Sequence, residues 1–232
     1  MTTTRIETRF VLVVALVAVT NAGRARADAA PVRIDGVAAL VGGASPGLGV
    51  DVILRSDVEL RARMALSGRT TGELPLGRLP APLLKATLAE IVGEHLLARE
   101  ARRVQVGNVA ASDRATERAH LVRGAGGDER MGALLRVLGV GAGEIDAIAE
   151  RRALVAAFLR ANLEGATVVS AAELERAWEA EREGIPPEEH PTVLKALRAR
   201  LAREALDRAI ARWVGVLTAR TTVETYADYD TE

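Results

Sequence analysis

The apolar positions of this chain change their period several times, and each change marks an element. The stretch VRIDGVAALV (32–41) is rich in β-branched residues, the Gly/Pro cluster GGASPGLG (42–49) interrupts it, and VDVIL (50–54) resumes it. That pattern predicts a strand, a loop and a short second strand. Ser56 with Glu59 three residues later fits a capping box, opening a helix that carries Val58, Leu60, Met64 and Leu66 and stops near Gly68. A loop with Pro75, Pro80 and Pro82 gives way to residues 83–103, where Leu84, Leu88, Ile91 and Ala98 recur at helical spacing between polar residues.

Further along, Asp113 stands near the start of a third helix, which the run GAGG (124–127) interrupts. The segment GDERMGALLRVLG (127–139) supplies Met131, Leu134, Leu135 and Leu138, with Gly139 as a stop. Residues 145–163 form another helix, on a stripe of Ile148, Leu154, Val155, Phe158 and Leu159. Ser170 and Glu173 make a second S-x-x-E box, with Leu174 and Trp178 one turn apart on the same face and a helix running to about Glu183. The prolines of REGIPPEEHP (182–191) predict an irregular linker. Beyond it a long helix spans 192–219, in which Leu206, Ile210, Trp213 and Leu217 repeat at spacings of four, three and four. A helix of that length has to lie across several others to bury its stripe. TTVETY (221–226) has strand composition and is expected to pair with the N-terminal strands, followed by a tail at 227–232. The fold class is therefore mainly α, an irregular multi-helix domain with a small N-terminal β-hairpin joined by a C-terminal strand. An aromatic content of 3% supports that choice over a β-sandwich.

Residues 1–27 carry the three zones of a secretory signal: Arg5 and Arg9, the apolar run FVLVVALVAV (10–19), and small residues ending at Ala27, after which cleavage is expected. The run is ten residues long, short of the about 20 needed to span a bilayer, so an uncleaved anchor is the weaker reading. Removing the segment leaves 27 basic and 30 acidic side chains, a net of −3. A sequence-independent nucleic-acid binder needs the opposite balance to neutralise phosphates. The chain has no cysteine, hence no disulfide, thiolate metal site or thiol nucleophile.

Catalytic patterns are missing from the sequence as well. His95, His120 and His190 have no second histidine or carboxylate at ligand or acid/base spacing. His95 is expected to be a structural histidine on the apolar face of its helix, and the other two to be solvent-exposed. Carboxylates alternate with arginine in ELERAWEAEREG (173–184) and ALRARLAREALDRA (196–209), the pattern of solvated helix faces. GGASPGLG lacks both the P-loop lysine and the G-x-G-x-x-G frame, so no nucleotide cofactor is implied. The expectation is a protein without cofactor, metal or enzymatic activity.

In order along the chain, several segments resemble the SurA-type periplasmic chaperones, relatives of secreted parvulin-type isomerases. VAALVGG (37–43) with VILRSDVELRARMAL (52–66) resembles that family's opening strand and first helix, and LLKATLAEIVGEHLLAREARRVQV (83–106) with SDRATERA (112–119) its second helix and the start of its third. VLGVGAGEIDAIAERRALVAAFL (137–159), VSAAELERAWEAE (169–181) and ALDRAIARWVGVLTARTTVETY (205–226) echo the later pattern. The chain departs from the family where a parvulin domain would sit between the Trp178 helix and the long helix; that place holds only REGIPPEEHP. The resemblance implies an ATP-independent holdase at 28–226, located in the periplasm and not inserted in the membrane. Its partners would be unfolded polypeptides, outer-membrane proteins among the candidates. A dedicated scaffold for one envelope partner and a residual prolyl isomerase are the alternatives. Client contacts are expected from apolar side chains left over when the helices pack: Met64, Leu66, Met131, Leu135, Phe158, Trp178 and Trp213. Flexible methionines suit such a surface.

Overall fold

In the computed structural model, residues 35–43, 49–70, 72–107, 109–163, 165 and 168–229 are described. The expected signal segment and most of the 42–49 loop lie outside them. Among the described residues helix dominates, and the β part is a three-stranded antiparallel sheet. Its central strand β1 (Val37–Gly42) is flanked by β2 (Val50–Leu54) and by β3 (Val223–Thr225). Leu40 stands opposite Val52 on one side and Glu224 on the other. The C-terminal strand thus closes onto the N-terminal hairpin, as its composition suggested. In the edge strand β2 Ile53 is buried while Val50 and Val52 are exposed, whereas the central β1 buries residues on both faces, Ala38 and Ala39 alike.

β2 runs directly into α1 (Arg55–Ser67). Here the capping expectation is corrected. Ser56 lies inside the first turn, and its N–H and hydroxyl both donate to the Asp35 carboxylate. Asp57 accepts the Leu54 N–H at 2.8 Å. Two carboxylates therefore satisfy orphan donors at the positive end of the helix, the role foreseen for Ser56 and Glu59. α2 (Ala81–Arg103) begins earlier than expected, with Pro80 at its cap and Pro82 in its first turn. A proline there loses no intrahelical bond, because first-turn N–H groups have no partner within the helix.

α3 (Ala111–Gly124), α4 (Asp128–Leu138) and α5 (Ala142–Leu163) follow, with Gly139 closing α4 at a left-handed φ of 68°. α6 (Ala171–Glu181) is capped by the Ser170 hydroxyl, which accepts the Glu173 N–H at 3.1 Å. The linker after it is more regular than its prolines implied. Pro187–Glu189 makes a 3₁₀ turn, and α7 (His190–Arg220) starts at once with Pro191 in its first turn.

Three apolar clusters organise these helices. The first joins the sheet to α2, α5 and the C-terminal half of α7 through Val41, Ile53, Ile91, Leu96, Phe158 and Leu217. Tyr229 also belongs to it, so the segment after β3, expected as a tail, reaches the core. The second packs Leu60, Met64, Leu121, Met131, Leu134, Ile145 and Ile148 from α1, α3, α4 and the start of α5. The third is separate: Trp178 of α6 packs with Leu197 and Leu201 of α7, bordered by Leu174, Ile185 and Val193. α7 has 31 residues, about 46 Å of helix, and serves two cores in succession. Its second half lies on α2; its first half makes a hairpin arm with α6.

Candidate functional site

An apolar groove of about 610 Å³ opens between α2, α5 and α7. α2 contributes Ala86, Ala89, Glu90, Gly93, Glu94 and Leu97; α5 contributes Arg152, Val155, Ala156 and Leu159; α7 contributes Asp207, Ile210, Ala211 and Val214, and α3 adds Glu117. Ligand pockets fall at roughly 300–1,000 Å³, so the groove can accept several apolar side chains. Contacts between the helices border the groove. Phe158 of α5 and Trp213 of α7 meet edge-to-face at 5.5 Å, and neither lines the groove. At Gly93 an added Cβ would come 3.6 Å from Val214, a close approach of α2 to α7.

Charge is confined to particular places on this surface. Glu94 is clamped between Arg61 of α1 at 2.9 Å and Arg151 of α5 at 2.7 Å, all three mostly buried. Burial pushes the Glu94 carboxyl up, but the charges and hydrogen bonds of Arg61 and Arg151 outweigh it and hold it below its ordinary value. Arg152 pairs with Glu117 at 3.3 Å. Glu90 and Asp207 make no ion pair within 4 Å among the described residues; Glu90 also borders a neighbouring opening lined by Arg61, Arg69, Arg123 and Arg152, whereas Asp207 does not.

A second buried cluster ties the sheet to α2. Asp51 of β2 lies 3.1 Å from Arg99 and 3.8 Å from His95. Burial raises the Asp51 carboxyl, while His95 and Arg99 together pull it below its ordinary value. His95 is buried on the inner face of α2, where its sequence position put it. His120 is exposed, beside Glu117 at 3.5 Å. His190 corrects its expectation: it is half-buried, its ring packs edge-on against Trp178 at 4.8 Å, and Nε2 lies 3.1 Å from the Ile185 carbonyl. The three histidines thus lie in three different places. Among the described residues no group of three or more His, Asp or Glu side chains is placed to hold a metal ion.

The seven residues named from sequence for client contact do not line this groove. Met64 and Met131 are buried in the second core, Phe158 in the first and Trp178 in the third. Leu66, Leu135 and Trp213 are half-buried, with Leu135 against the second core and Trp213 against the first. Large side chains win the interior because their burial removes the most apolar surface from water. What remains open is lined by aliphatic residues: Val155, Leu159 and Ile210, which the sequence placed on apolar stripes but not at a site, and small residues of α2 that it did not single out. A signal was available: Ala86, Ala89, Gly93 and Leu97 follow helical spacing on the side of α2 otherwise read as polar.

No family model matches the chain, and no curated protein matches it closely enough to count as a relative. Among the described residues no helix is long and apolar enough to cross a membrane.

Proposed function

We propose that the chain is an ATP-independent periplasmic chaperone that holds unfolded exported polypeptides, outer-membrane proteins among them, and performs no chemistry on them. The observation that carries this reading is the open apolar groove between α2, α5 and α7. The secretory pattern of residues 1–27 and the ordered resemblance to SurA-type chaperones support the compartment and the client class. The groove also suits the energetics of a holdase. Each apolar client side chain placed against Val155, Leu159, Ile210 or Val214 contributes about 1.5–3 kcal/mol before ordering costs, so two or three give weak, reversible capture. Release then needs no nucleotide cycle.

The test is light scattering from an outer-membrane protein diluted out of urea, with and without a few-fold molar excess of this protein. Slower aggregation is expected, and the effect should weaken when Ala211→Trp fills the groove. Unchanged aggregation in the presence of the wild-type protein would sink the proposal.

A further inference from the structure

We infer that the occupant of the groove is an amphipathic helical segment of an exported polypeptide, about three turns long, whose aliphatic face is bordered by lysine or arginine. This rests on the capture reading above and adds the conformation and charge of the captured segment.

Conformation follows from the walls. Lining positions on α2 recur at 86, 89, 90, 93, 94 and 97, on α5 at 152, 155, 156 and 159, and on α7 at 207, 210, 211 and 214. Spacings of three and four are those with which a helix faces another helix, so three helices offer ridges and grooves to a fourth. The α2 lining runs from Ala86 to Leu97, about 16 Å or three turns of helix, with Ala86, Ala89 and Glu90 exposed and Gly93 and Leu97 forming a buried floor. An extended segment over the same length would have about five residues, and alternate side chains would point away from the walls. Its backbone would also go unsatisfied. The walls are helices whose own N–H and C=O groups are already bonded, and no strand edge lines the groove, whereas a helical occupant satisfies its backbone internally.

Charge follows from the two open carboxylates. Among the described residues that line the groove Arg152 is the one cation, and Glu117 engages it; Glu90 and Asp207 there make no ion pair within 4 Å, and the arginines near Glu90 border the adjoining opening. An acidic occupant would meet those two carboxylates, and a basic one would complete them.

The experiment is fluorescence anisotropy of the full chain with labelled model peptides of about 14 residues. The first is a leucine/alanine amphipathic helix with lysines beside the stripe. The second has glutamate in place of lysine, the third a scrambled order that destroys the stripe, and the fourth two central prolines that prevent helix formation. The lysine helix should bind about three- to tenfold tighter than its glutamate counterpart, and combining Glu90→Lys with Asp207→Lys should reverse that order. Binding should be lost with Ala89→Trp, with Ala211→Trp as the second filling variant if circular dichroism shows that the first is misfolded. Equal affinity for the proline or scrambled peptide would overturn the helical occupant, and equal affinity for the glutamate peptide the charge assignment. Either result leaves capture itself standing if unfolded outer-membrane protein is still held and Ala211→Trp still weakens the hold. Failure to bind any peptide or unfolded protein would remove both. Self-association abolished by Ala89→Trp would make a second copy the occupant and overturn the inference.

Discussion

Replacing Glu94 by glutamine puts the arginine clamp under a direct test. The carboxylate joins three helices, α1 through Arg61, α2 through its own backbone and α5 through Arg151, at 2.9 and 2.7 Å. Side-chain exposures of 11% for Glu94, 14% for Arg61 and 19% for Arg151 leave little water to replace a missing counter-charge. Breaking a buried pair from one side costs about 3–5 kcal/mol, and glutamine keeps one acceptor oxygen, so about 3 kcal/mol is expected. With a urea m-value of about 2 kcal/mol/M, that lowers the unfolding midpoint by about 1.5 M. The pH dependence carries a sign. Glu94 titrates below its ordinary value in the folded protein, so its stabilisation is present above pH 4.5 and is lost as pH falls through the depressed folded value. Protonated Glu94 is nearly isosteric with glutamine, and the two proteins should converge in stability in acid. Urea titrations followed by far-UV circular dichroism at pH 7 and at steps below 4.5 measure this. A variant within about 0.5 kcal/mol of wild type at pH 7, or a gap that stays constant down to pH 3, would refute the clamp.

Other consequences are as direct. Gly68→Ala would place a Cβ 1.8 Å from the Gly124 carbonyl oxygen where the ends of α1 and α3 cross, while Gly124→Ala meets nothing within 4 Å. The first should lower the thermal midpoint, with a cost of at least about 1–3 kcal/mol, and the second should be nearly neutral. Ser170→Ala removes the α6 cap at a cost of about 1 kcal/mol, and amide exchange should quicken in Ala171–Glu181 while β1 is unchanged. Trp178→Ala should cost about 3–5 kcal/mol within the third core. The chain has two tryptophans, so the emission of the variant reports Trp213 alone. An unshifted Trp213 spectrum in native buffer is expected, and a shifted one would show that the arm and the body do not have independent cores.

The helices were legible because their signals are local. Spacing of apolar residues, the Ser170 hydroxyl three residues before Glu173, and a glycine at 139 able to take a positive φ act over a turn or two, and each worked where it was read. Where reading failed locally, a long-range partner had intervened. Asp35 reaches Ser56 from 21 residues away and turns an expected cap into a first-turn residue. Trp178 draws His190 out of solvent because the 182–191 linker folds back against α6. β3 was visible as strand composition, but its register against β1, with Thr225 opposite Ala39, depends on where α7 delivers the chain.

The candidate site lay further from what the sequence fixes by periodicity. Helical spacing identifies apolar faces, and α2 has two of them, one through Leu88, Ile91 and His95, the other through Ala86, Ala89 and Gly93. Nothing in the residue order says which face gets covered. Packing decides: the sheet and Phe158 take the first face, whereas on the second α5 and α7 leave the groove between them. By itself the sequence determined a mainly helical protein with a small sheet, since propensity, capping and amphipathic period are written in neighbouring residues. Tertiary structure alone decided which apolar surface stays open, because exposure is settled by volumes and crossings contributed from elements far apart in the chain.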